Sequence, residues 1–204
     1  VTDNERQEMF EIYKKIQELK WENNLLMLNP NEKDTAEWIS KKQEEIKKFF
    51  IEGGKSIAVG LSMADAKALL STVDNTIKIE EKTVSRTILS GVLPEVFRGI
   101  SPAEVHWKQR KTIPVIADVS VGGWKTDTGV LAQVSILKGE LIWVSVSPSD
   151  FNPEYRPDLI FTKVNTSRLI SQIMTNCGIK SGVSWLPCFS VTEGGMKDIS
   201  LHGI

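Results

Sequence analysis

The sequence predicts an α+β protein: an N-terminal helical hairpin arm over residues 1–52, then a domain over residues 55–204 with an antiparallel or mixed sheet and flanking helices. Two observations carry this expectation. The first is charge, since residues 1–52 hold 9 Lys and Arg against 12 Asp and Glu, leaving 16 against 14 for the rest of the chain. The second is period. Before Gly53-Gly54 apolar residues recur every three or four positions, as on a helix with one dry stripe. From Thr112 they recur every second position, as on a strand.

Thr2 and Glu5 have the S/T-x-x-E spacing in which side chain and backbone cap each other, so the first helix is expected to run from there to about Leu26. Along it Met9, Ile12, Ile16, Leu19, Asn23 and Leu26 alternate in steps of three and four. That is an a/d seam, and it predicts a short coiled coil and a homo-oligomer. Packing of the same stripe on the second helix or on the main domain fits equally well, and Lys15 facing Lys20 across a parallel dimer would oppose that arrangement. Asn29-Pro30-Asn31 breaks the helix, Asp34 and Glu37 repeat the capping spacing, and Trp38, Ile39, Ile46, Phe49 and Phe50 give a second helix its apolar face. Gly53-Gly54 ends it.

Residues 55–111 read as mostly helical with short extended pieces. A helix starts at Ser62 and runs to about Thr72, Thr76–Ile79 alternate like a short strand, and Ser101-Pro102-Ala103-Glu104 has the N-cap, Pro and Glu of a strong helix start. Beyond Thr112, Ile113 to Val121 alternate as a strand. Residues 130–137 and 140–147 form a hairpin joined by Lys138-Gly139. A loop over 152–158, a strand over 159–164, a helix over 166–176 and a last, Pro187-interrupted strand over 183–191 complete the expectation.

A formal charge of -1 with 41% hydrophobic and 25% charged residues describes an ordinary folded chain with no overall pull toward polyanions. No apolar run approaches the length of a membrane span. Cys177 and Cys188 are too few for a disulfide framework or a thiol-rich metal site, so an intracellular, cytoplasmic setting is expected.

Catalytic signatures are sparse. Gly54-Lys55-Ser56 ends like a phosphate-binding loop, but Phe49 stands where that motif needs glycine, and a helix precedes it where a strand should. His106 and His202 are the two histidines, and no G-x-S-x-G surrounds a serine. Asp118 interrupts an apolar strand, and an acid there must be paired, solvated or bound to a cation.

With Asp118 on a first strand and Thr128-Gly129 opening a second, the order resembles the start of ribonuclease H-like nuclease folds. That resemblance implies a metal-dependent phosphodiesterase centred on Asp118, which would need further carboxylates. Asp118 and Gly182 are also features that plant-virus movement proteins share, over little of the chain; a virus-encoded origin goes with that resemblance.

The stretch from His106 to Lys111 is the most concentrated basic-aromatic segment. Trp107 can stack on a base while Lys108, Arg110 and Lys111 track phosphates, which is what binding of single-stranded nucleic acid such as RNA needs. The same cations would also suit the last turn of a helix. The sequence thus predicts a non-catalytic, self-associating structural or interaction protein that contacts nucleic acid, with no cofactor and no resident metal. The nuclease centred on Asp118 is the alternative.

Overall fold

The computed structural model describes residues 25–28, 35–74, 76–119, 122–154 and 156–178. Its elements in chain order are β1 (Leu25–Leu28), α1 (Thr35–Lys41), α2 (Gln43–Ile51), β2 (Lys55–Val59), α3 (Met63–Val73), β3 (Lys78–Arg86), β4 (His106–Asp118), β5 (Trp124–Lys125), β6 (Leu131–Ile136), β7 (Gly139–Val144) and α4 (Ile160–Asn176). Short 3-10 turns occupy Glu95–Phe97, Pro102–Val105, Pro148–Asp150 and Pro157–Leu159. The protein is α+β, as its two periods indicated.

Among the described residues the strands form a mixed five-stranded sheet in the order β1-β2-β7-β6-β5 and a separate two-stranded ribbon, β3-β4. β1, β2 and β7 run parallel, while β6 and β5 are antiparallel additions. The expected hairpin is present as β6 and β7, turning through Leu137-Lys138 with Leu137 at φ 55.

Strand alternation divides the core between the two faces of the sheet. Ala58, Ala132, Val134, Leu141 and Trp143 point to one face, where Ile39, Ile46, Phe49 and Phe50 of α1 and α2 and Ala66, Leu69 and Leu70 of α3 cover them. Ile57, Val59, Leu131, Ile142 and Val144 point to the other, beneath Leu169, Ile170 and Ile173 of α4 and Val84, Trp107, Ile113 and Val115 of the ribbon. The sheet is thus buried on both sides, which accounts for the nearly continuous apolar runs of β2 and β7.

Gly53-Gly54 terminates α2, as expected. Gly53 adopts φ 88, and Gly54 lies so close beneath the Phe49 ring that a side chain there would overlap it. The Gly54 carbonyl then accepts the Glu140 N–H at 3.1 Å. Residues on both sides of the pair share one core, so it works as a tight turn between a covering helix and the strand beneath it.

Several expectations are corrected. Leu25 and Leu26 are strand, because the Leu25–Leu28 run pairs in register with Lys55–Ala58. The first half of the expected hairpin, including Met9, Ile12, Ile16, Leu19 and Asn23, lies outside the described residues, as do residues 183–191. The segment 55–111 is largely extended, in β2, β3 and the start of β4, with α3 its one long helix among the described residues. Ser101-Pro102-Ala103-Glu104 forms its capping box, with Ser101 N–H donating to Glu104 Oε2 at 2.8 Å, yet helix stops after one 3-10 turn because His106 is already extended and Trp107 enters the core. Residues 160–164 are helix rather than strand, since α4 is continuous from Ile160.

Candidate nucleic-acid interface

β4 begins at His106, so the basic run lies on a strand and the period of two splits it between faces. His106, Lys108, Arg110 and Thr112 are exposed on the outer side, while Trp107, Gln109, Lys111 and Ile113 turn inward to differing depths. Thr83 faces Thr112 across the ribbon with their hydroxyls 2.7 Å apart, and Arg86 faces His106. Alternate residues on a strand stand about 6.6 Å apart, a spacing comparable to that of successive phosphates along an extended nucleic-acid strand. β3 and β4 together carry Lys78, Lys82, Arg86, Lys108, Arg110 and Lys111 against Glu80, Glu81 and Asp118, a net of +3 from six cations and three acids.

The four residues expected to bind nucleic acid therefore separate. Lys108 and Arg110 are exposed on the outer face. Lys111 is tied inward: its Nζ donates to Asp150 Oδ1 at 2.9 Å and lies 5.7 Å from the centre of the Phe151 ring. Trp107 is 2% exposed, so no face of its indole is open to a base. Its Nε1 is buried with no hydrogen-bond partner among the described residues, an unusual cost for an indole N–H.

Two sets of contacts hold the cationic end of the ribbon in place. Thr87 N–H donates to the Val105 carbonyl at 3.0 Å, locking the residues next to Arg86 and His106. Asp127 then fastens the loop after β3 to the turn before β6, accepting from Thr87 Oγ1 at 2.8 Å and Ile88 N–H at 2.7 Å. Partial burial pushes the Asp127 carboxyl up, but these bonds, the Thr128 N–H and the nearby charge of Lys82 outweigh it and hold the group below the usual carboxylate range. On the other flank, the Arg156 guanidinium grips Asp158 through two bonds of 2.9 and 2.8 Å and holds its carboxyl low, with a smaller pull from Lys108.

Asp118 is exposed at the end of β4, in register with Lys78, and accepts the Val119 N–H at 2.9 Å. It stands on the ribbon and not on the sheet that holds β5 and β6, unlike the strand order that the nuclease resemblance implies. Among the described residues no group of three or more His, Cys, Asp or Glu could hold a metal ion. Lys55 opens β2 and pairs with Glu140 at 3.1 Å, and Ser56 is wholly buried. Burial pushes the Cys177 thiol up to about 11. Leu26 lies in β1, opposite Ser56, and Cys188 and His202 lie outside the described residues. No described helix is long and apolar enough to cross a membrane.

Sequence reasoning found Lys108 and Arg110 but missed Arg86, which only the pairing of β3 with β4 brings beside them. The signal that separates Lys111 from its neighbours was present, as alternation beginning at His106 instead of Thr112.

No family model, curated protein or solved structure matches this chain.

Proposed function

We propose that this is a non-catalytic, self-associating interaction protein of the cytoplasm that contacts single-stranded nucleic acid through the outer face of the β3–β4 ribbon. The observation that carries the reading is the exposed row of His106, Lys108 and Arg110 at alternate positions of one strand, with Arg86 beside it. A ribbon of net +3 within a chain of net -1 concentrates positive potential where the whole molecule has none to spare. Such a row neutralises phosphates and does not read bases, so it supports affinity with little sequence preference.

The test is binding of a labelled single-stranded oligonucleotide at increasing salt. Affinity is expected to fall steeply with salt, and to fall again when Lys108 and Arg110 are both replaced by Ala; salt-independent binding, or none, would reject the interface. Self-association rests on the apolar seam of Met9, Ile12, Ile16 and Leu19. Light scattering of the full chain against a chain lacking residues 1–24 is expected to show a lower mass for the shorter one. An unchanged mass would remove the seam as the assembly element.

A further inference from the structure

We infer that Phe161 is the stacking platform of this interface, the role that the buried Trp107 cannot fill; the inference rests on the nucleic-acid reading above. Phe161 is 58% exposed and its neighbour Ile160 44% exposed, in the first turn of α4. Neither belongs to either core cluster. A phenyl ring left half in water contributes little to folding and, with Ile160 beside it, leaves aromatic surface open to a ligand.

Its position says what would cover it. Positions 161, 165 and 168 fall on one face of a helix. Asn165 Nδ2 donates to the Ala103 carbonyl at 3.2 Å, and Arg168 Nε lies 3.5 Å from Glu104 Oε1. Both contacts are to the turn that leads directly into His106. The Pro157–Leu159 turn and α4 both pack against β4, and Asp158, three residues before Phe161, feels the charge of Lys108. An exposed aromatic ring therefore stands one helical turn from the contacts that tie α4 to the entrance of β4, the strand that carries the cationic row. An apolar protein partner would have to strip water from the cations at that edge without pairing them, whereas a polyanion with flat, apolar bases satisfies both features at once. Bases can reach the ring only when unpaired, so the site selects single strands over duplex.

The experiment measures binding of an oligothymidylate and of a duplex of equal length to the full chain by fluorescence anisotropy, for the wild type, Phe161→Ala, Phe161→Trp and the Lys108→Ala/Arg110→Ala double variant. Phe161→Ala is expected to weaken single-strand binding by roughly 5- to 150-fold, the range for loss of one stacked base, with the salt slope and the weaker duplex binding unchanged. Phe161→Trp is expected to restore affinity. Because the side chain is exposed, the melting temperature of each variant serves as the control for folding. If Phe161→Ala binds as the wild type does while the double variant loses affinity and slope, the stacking role is overturned and the phosphate interface stands. An equal loss for single strand and duplex would also overturn stacking. If the wild type binds neither nucleic acid, the interface falls with it, and capture of the Phe161 face by an apolar peptide would replace both.

Discussion

Gly129→Ala is the substitution expected to cost this fold most per atom added. Gly129 adopts φ 76 in the turn before β6, where its N–H donates to the Thr126 carbonyl at 3.0 Å and its carbonyl accepts the Ile116 N–H at 3.0 Å. That last bond lashes the end of the ribbon to the sheet. A methyl group at Gly129 would overlap the Ile116 carbonyl oxygen and come within 2.9 Å of the carbonyl carbon, and both are backbone atoms with no rotamer to escape into. The left-handed backbone alone costs a non-glycine residue roughly 1–2 kcal/mol. Forcing β4 away adds about 1–3 kcal/mol, the usual scale of overpacking. The stiffer unfolded chain returns about 0.4–1 kcal/mol, so the net loss is about 1–5 kcal/mol, centred near 3 kcal/mol.

Gly91→Ala isolates the steric part of that loss. Gly91 has φ 72 but no atom of the described residues within 4 Å of the added methyl, so its net cost is expected to be about 0–1.6 kcal/mol. Urea denaturation of both variants, followed by tryptophan fluorescence, gives the comparison. Equal losses in the two variants would refute the close approach of Gly129 to β4, and with it the route by which the sheet holds the ribbon.

Asp127→Asn is expected to destabilise by about 1 kcal/mol at neutral pH, a figure kept low because the group is largely exposed. Its folded pKa lies below the unfolded one, so the stabilisation is present above about pH 4 and disappears as pH falls through the folded value; a difference from wild type that stays constant from pH 7 to pH 3 in urea melts would contradict this. Leu137→Gly places the residue that suits φ 55 at the hairpin turn, and because Leu137 is 61% exposed the urea midpoint should hold or rise, by up to about 1 kcal/mol in stability, whereas a clear drop would mean the exposed leucine is packing on something. With its thiol pushed to about 11, Cys177 should be alkylated by iodoacetamide at pH 7.5 far more slowly than a free cysteine peptide, read by site-resolved mass spectrometry, and comparable rates would show that the thiol is not shielded.

What the sequence made legible and what it hid follow from how local each signal is. The β6–β7 hairpin was readable because alternation and turn residues are contiguous there, and the start of α3 because Ser62 caps its own helix, accepting the Asp65 N–H at 3.2 Å. β1 was not readable, since Leu25–Leu28 is an apolar run with no period of its own and its partner β2 lies about thirty residues away. The start of α4 carries Ile160, Phe161, Thr162 and Val164, which favour a strand locally, and the burial of Leu169, Ile170 and Ile173 against the sheet overrides that preference. The basic run misled for a related reason. A strong capping box at Ser101 argues for helix, and only the core position of Trp107 shows that the chain has turned into a strand. Phe161 could not be singled out at all, because an exposed phenylalanine looks no different from a buried one until the fold is known.

On the proposed function, the outer face of β4, and not its basic composition alone, meets nucleic acid. The salt dependence of oligothymidylate binding tests it when the Lys108→Ala/Arg110→Ala variant is compared with Lys111→Met, which keeps the stem over Phe151 while removing the charge. Each lost phosphate contact lowers the slope of log affinity against log salt by about 0.7 on single strands, so the outer pair should lower it by about 1.4 while Lys111→Met leaves it where the wild type has it. A slope that falls with Lys111→Met as much as with a single outer substitution, or that does not fall with the outer pair, would contradict the account.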